Sequence, residues 1–108
     1  MSKVKIVVHV PVTHSDRVRK AIGDAGGGKI GNYSHCSYSL IRTGRFKPED
    51  GAHPTIGSVG EFESVEEERI EFSCDLSLAK SVIKAIVDVH PYEEPTFDVY
   101  QLIDIENL

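Results

Sequence analysis

Apolar and polar positions alternate from the start of the chain. Val4, Ile6, Val8 and Val10 fall on one side and Lys3, Lys5, Val7 and His9 on the other, which predicts a strand with one buried face, ended by Pro11. The period then changes. Val18, Ala21, Ile22 and Ala25 recur at helical spacing behind Thr13-His14-Ser15-Asp16, whose oxygens suit a helix start, and Gly26-Gly27-Gly28 stops the helix. Arg17, Arg19 and Lys20 are expected on its solvent side. From Tyr33 the residues alternate again, with Cys36, Tyr38 and Leu40 predicted on one face of a second strand and His35, Ser37, Ser39 and Ile41 on the other.

A long connection, Thr43 to Glu63, carries four glycines and two prolines. Phe46, Ile56, Val59 and Phe62 are its expected anchors. The third strand is predicted over Val65 to Cys74, with Ile70, Phe72 and Cys74 facing the core and Glu67, Arg69, Glu71 and Ser73 opposite. Pairing the second and third strands about Thr55 sets Cys36 across from Cys74 on the core face. Asp75 is placed to cap a second helix with the stripe Leu76, Leu78, Ala79, Val82, Ile83, Ile86 and Val87. A fourth strand is predicted over Phe97 to Ile105.

Strand, helix, strand, strand, helix, strand with right-handed crossovers predicts an α+β, ferredoxin-like βαββαβ sandwich. It has a four-stranded antiparallel sheet, in the order fourth, first, third, second, and both helices on one face. Residues 1–108 suffice for a single domain, and 40% hydrophobic content suffices for one core. The face without helices would carry Val7, His9, His35, Ser37, Arg69, Glu71 and part of Tyr100 and Leu102, a mixed surface of the kind buried between subunits.

Charge removes several function classes. A net charge of −5 is opposite in sign to what nucleic acid or an anionic membrane attracts. No apolar run approaches the roughly 20 residues that span a bilayer, and Met1-Ser2-Lys3-Val4 does not open as a secretion leader does. Two cysteines make no disulfide framework, so a cytoplasmic protein with reduced thiols is expected.

Candidate chemistry concentrates in His90-Pro91-Tyr92-Glu93-Glu94-Pro95. Pro91 ends the helical run and Pro95 biases Glu94 towards extended backbone, leaving a stiff polar elbow. The predicted topology brings His14 and the long connection, with His53, to the same edge. His90, Tyr92, Glu93, Glu94, His14 and His53 are therefore the candidate ligand-binding residues. His90, Glu93 and Glu94, with His14 or His53, have donor types suited to zinc or a similar divalent ion. The bland alternative pairs the glutamates with basic side chains and bonds His90 to the helix end. A triple glycine at a helix C-terminus is a turn, since phosphate sites lie at N-termini. Cys36 beside His35 suggests a small hydrolase-like enzyme, but alternation separates those two side chains.

Two groups of motifs resemble a known family. One is Gly31-Asn32-Tyr33-Ser34-His35-Cys36 with Gly44-Arg45-Phe46, Pro54-Thr55-Ile56-Gly57 and Val65-Glu66-Glu67; the other is the elbow with Phe97-Asp98-Val99-Tyr100. Together they resemble the insert domain of the Nif-three-like (YqfO) family, here standing alone. The resemblance implies a fold similar to PII and CutA and association into a homo-oligomer, a trimer rather than a dimer. It implies no catalytic residue here, because the family's two-metal site belongs to a domain outside these 108 residues. An oligomeric binding or regulatory module, taking a small-molecule ligand, is the leading expectation.

Overall fold

The structure is a computed structural model, and it describes residues 2–108. Its sheet is antiparallel, built from β1 (Lys3–Pro11), β2 (Tyr38–Phe46), β3 (Glu63–Asp75) and β4 (Phe97–Gln101) in the order β2-β3-β1-β4. The helices α1 (Ser15–Asp24) and α2 (Leu76–Val89) cover one face. The predicted ferredoxin-like sandwich and its strand order are both observed. Val4, Ile6, Val8 and Val10 of β1 and Ile70, Phe72 and Cys74 of β3 pack against Val18 and Ile22 of α1 and Ala79, Val82 and Ile86 of α2.

Local chemistry differs from expectation at both helix starts. A 3-10 turn, Val12–His14, precedes α1, and no side chain caps that helix; the Thr13 hydroxyl bonds His14 Nδ1 instead. Asp75 stands at the start of α2 but its carboxylate pairs with Lys3 at 3.4 Å. The end of α1 is as predicted. Gly27 N–H donates to Ile22 O and Gly26 N–H to Gly23 O, the paired closure that glycine with positive φ makes accessible.

The largest correction concerns β2. It begins at Tyr38, not Tyr33, and pairs Tyr38 with Glu71 and Ser39 with Ile70. That register is one residue from the predicted one, and one residue exchanges the two faces of a strand. Tyr38 and Leu40 therefore lie on the face without helices, and Cys36 lies outside the sheet, half-buried, while Cys74 alone is in the core. His35 is not on the open face either. Its backbone takes a positive φ of 61°, and its ring lies over Gly23 of α1, bonded to Asp24.

β2 also runs on through Thr43 to Phe46, so the connection is residues 47–62. Phe46 and Ile56 anchor it as expected, whereas Val59 and Phe62 are exposed. β4 stops at Gln101, although Leu102 N–H still donates to Lys3 O of β1 at 3.0 Å, and Ile103 continues as exposed chain.

Arg19 does not simply face solvent. It crosses from α1 to bond Glu68 of β3 and Asp16 of its own first turn. Burial alone would raise the Glu68 carboxyl, but hydrogen bonds from Ser39 and Arg19 outweigh it and hold the group below its ordinary value. A depressed carboxyl stabilises the fold above the ordinary value of 4.5, and that contribution disappears as pH falls through the lowered one. Arg19→Ala is expected to cost about 2 kcal/mol near neutrality, less than a fully enclosed pair would because Arg19 keeps solvent contact. Urea melts at neutral pH and near pH ~3 check this: the deficit should shrink in acid, and a deficit independent of pH would reject the role given to Glu68.

Candidate functional site at the elbow groove

Helix α2 ends at Val89 because Pro91 forces His90 out of the helical region; His90 is extended, at φ −74° and ψ 135°. The turn that follows lies against the base of the β2–β3 hairpin and the 47–62 connection. Thr55 Oγ1 donates to Pro91 O at 2.6 Å and His53 N–H donates to Glu93 Oε1 at 3.1 Å, so the connection is strapped to the elbow at two points. Between these elements lies a groove of about 530 Å³. Tyr92, Glu93 and Glu94 form its elbow wall; Arg42, Arg45 and Glu67 belong to the hairpin wall.

The sequence-predicted residues divide into three groups. Tyr92, Glu93 and Glu94 line the groove. His90 lies beneath it, buried, with both ring nitrogens engaged: Nε2 donates to His9 O at 2.7 Å and Nδ1 accepts the Tyr92 N–H at 3.1 Å. His14 and His53 stand outside the groove wall, and His53 reaches the elbow through its backbone, its side chain remaining exposed. The topology brought the segments together as expected without joining their imidazoles. Among the described residues no three His, Cys, Asp or Glu side chains are grouped to hold a metal ion. His90 has no lone pair left for one, since the nitrogen not bearing hydrogen already accepts an amide.

Burial is the main reason His90 is held below its ordinary value, opposed in part by the His9 carbonyl and the Glu67 charge. Burial likewise drives Tyr92 upward, reinforced by Glu67, whose Oε2 accepts the phenol at 2.6 Å. The ring of Tyr92 is also held edge-on by Phe46, with centroids 6.2 Å apart. Tyr92 therefore stays a neutral donor, and His90 below it a neutral bridge.

Reading the sequence missed Glu67, Arg42 and Arg45. In the sequence Glu67 is placed on a strand face and within the Val65-Glu66-Glu67 motif, and nothing in its spacing shows that the groove needs it. The available signal is Gly44, inside a strand, where glycine marks a close approach: a Cβ there would lie 2.0 Å from Glu67 Oε1. A second unforeseen cluster lies at the opposite edge of the domain. Ser34 Oγ is 2.8 Å from His35 Nδ1, and His35 Nε2 is 3.0 Å from Asp24 Oδ1. Lys20 first and His35 second hold the Asp24 carboxyl below its ordinary value. This chain of bonds is exposed and away from the groove, and it clasps the segment before β2 to α1. Cys36 Sγ points to Ser34 O at 3.9 Å and not to the His35 ring, but strand alternation is not the reason, because both residues precede β2.

Comparison with known proteins decides the family. No family model matches the chain. A protein of Halalkalibacterium halodurans named GTP cyclohydrolase 1 type 2 homolog is 50% identical over 101 residues, covering 94% of this chain and 27% of its own length. A crystal structure of a Bacillus cereus protein related to NIF3 superposes with a TM-score of 0.83 at 52% identity, over 95% of this chain and 26% of that one. The chain belongs with the NIF3-related proteins. It spans about a quarter of the length of these relatives. CutA1 of Oryza sativa shares the fold, with a TM-score of 0.69 at 14% identity over 96% of this chain and 83% of that one. The NIF3-related chain thus has the PII and CutA type of α+β fold. Among its described residues no helix is long and apolar enough to cross a membrane.

Proposed function

We propose that this NIF3-related domain is a self-associating, non-catalytic module that binds a small molecule in the elbow groove. The carrying observation is the groove itself. Three separate segments meet there, its walls carry charges of both signs, and its volume is in the usual range of small-ligand sites. Of the histidines, His90 is engaged in bridging backbone groups and His35 in clasping α1, while His9 lines the groove beside Glu67, Tyr92, Glu93 and Glu94.

Self-association is supported by the uncovered sheet face. Tyr38 and Leu40 project there from an edge strand, and Tyr38 is 73% exposed. Large apolar groups on an unpaired edge are a liability in a free monomer, and a second copy relieves it. We expect a homo-oligomer, a trimer before a dimer, in a reducing cytoplasm.

A divalent ion on His90 with Glu93 or Glu94 is a weaker reading, because it asks His90 to surrender a bond it already makes. Calorimetry with zinc on the wild type and on His90→Ala tests it directly.

Two measurements test the leading reading. Sedimentation equilibrium at micromolar concentration should show a mass above one chain; a monomer would reject the assembly half. A small-molecule fragment panel screened by amide NMR should shift Gly44, Thr55 and Tyr92 together; no shifts at the groove would reject the binding half.

A further inference from the structure

We infer that the groove takes a small zwitterion, a molecule carrying both a protonated nitrogen and an anionic group, with Glu67 as the carboxylate that holds the nitrogen. This rests on the groove being a ligand site and adds the class of ligand.

Glu67 is the observation that leads there. It is 8% exposed, yet the chain supplies its carboxylate with one neutral donor, the Tyr92 hydroxyl on Oε2. Among the described residues nothing donates to Oε1, which lies over the bare Cα of Gly44. Oε1 is not sealed off either, so its unsatisfied side opens on the groove. A carboxylate withdrawn from water is costly to leave so poorly paired. A charged N–H donor arriving through the groove supplies the missing partner, and a charge-assisted bond there is the strong kind.

The rest of the wall sets the second half of the ligand. Arg42 is the cross-strand partner of Glu67, but neither Arg42 nor Arg45 makes an ion pair with any described carboxylate. Arg69 is already paired with Glu71 at 3.4 Å. A simple cation entering the groove would meet the unpaired guanidinium of Arg42, which shares the face of Glu67. A simple anion would meet Glu67, Glu93 and Glu94. A molecule with both charges satisfies both sets, and Phe46 and Ile56 line the groove with apolar surface for the part between them.

The test uses L-arginine as the zwitterionic probe, agmatine as its analogue without the carboxylate, and inorganic phosphate as an anion alone. Each is titrated up to tens of millimolar into the full chain and followed by amide NMR. L-arginine should bind most tightly of the three. Glu67→Gln should weaken it about tenfold or more, the usual scale for a hydrogen bond to a charged group, and should weaken agmatine similarly. Gly44→Ala, whose methyl displaces the carboxylate without changing any charge, should give the same loss. Arg42→Gln should weaken L-arginine and spare agmatine. Unchanged L-arginine binding in both Glu67→Gln and Gly44→Ala overturns the inference. Binding of phosphate with silence from the two nitrogen-bearing probes also overturns it, but leaves the groove a ligand site. Silence from all three overturns it as well, and the fragment panel then decides separately whether the groove binds anything. Far-ultraviolet circular dichroism confirms that each variant is folded before its affinity is read.

Discussion

Gly28→Ala is expected to destabilise the fold by about 3 kcal/mol or more, because it combines two costs. The residue sits at φ +74°, where an L side chain costs roughly 1 kcal/mol or somewhat more. Its new Cβ would then lie 2.1 Å from Cys36 O and 2.8 Å from Cys36 N. Those are backbone atoms in a tight junction: Gly28 N–H donates to Ser73 O at 2.7 Å, and Cys36 N–H donates back to Gly28 O at 2.9 Å. Neither can step aside without breaking the link between α1, β3 and the approach to β2, so overpacking adds roughly 2 kcal/mol. Gly31→Ala is the control. Gly31 also has positive φ, 55°, but a Cβ there meets nothing within 4 Å. It should show the conformational cost alone. Denaturant midpoints of the two variants read the difference, and equal losses would mean that the junction yields and the argument from Cys36 is wrong.

His90→Ala should be comparably damaging, at about 2–4 kcal/mol, since it removes two hydrogen bonds and leaves a space under the elbow. The same residue makes stability depend on pH in a stated direction. His9 O can only accept and Tyr92 N–H can only donate, so the folded protein requires hydrogen on Nε2 and a lone pair on Nδ1. Protonation would turn a second N–H towards the Tyr92 amide. The folded value lies below the ordinary 6.5, chiefly through burial. Between the two values the unfolded chain binds more protons than the folded one, so stability is complete above about 6.5 and declines as pH falls below it. The chain has four other histidines, so the informative quantity is wild type minus His90→Ala across that interval. The wild type should lose more than the variant on acidification; parallel curves would show that His90 is not held neutral.

Much of the fold was legible because its elements follow simple periods. β1 keeps its predicted core face, although Val7 on the other face is buried too. α2 buries the centre of its apolar stripe at Ala79, Val82 and Ile86 while Leu76, Leu78 and Val87 stay exposed, and the proline of the elbow ends that helix where expected. β2 was misplaced for a physical reason. It is exposed along most of its length, and no burial pattern marks which side of it is which. Without that contrast the sequence does not specify the register, and a shift of one residue exchanges the surroundings of Tyr38 and Leu40. The site was legible as a meeting of segments, since topology alone brings the elbow to the 47–62 connection. Its chemistry was not. Whether a histidine faces a groove or a carbonyl depends on side-chain direction, and Glu67 is singled out only by what Gly44 leaves empty.

The position of β1 between β3 and β4 has a consequence for how the chain reaches its structure. The strand nearest one end of the sequence is hydrogen-bonded to the strand nearest the other, Val4 opposite Gln101. That pairing cannot profit from proximity along the chain, whereas β2 and β3 form a hairpin closed by a single connection. Early structure should therefore gather around the hairpin and α2, while β1 closes the sheet late, when the two ends meet. Entropic cost rises only slowly with the size of the loop closed, but it precedes any reward from contact. Folding should consequently be slow for a domain of this size, limited by an encounter between distant segments and not by the formation of either helix.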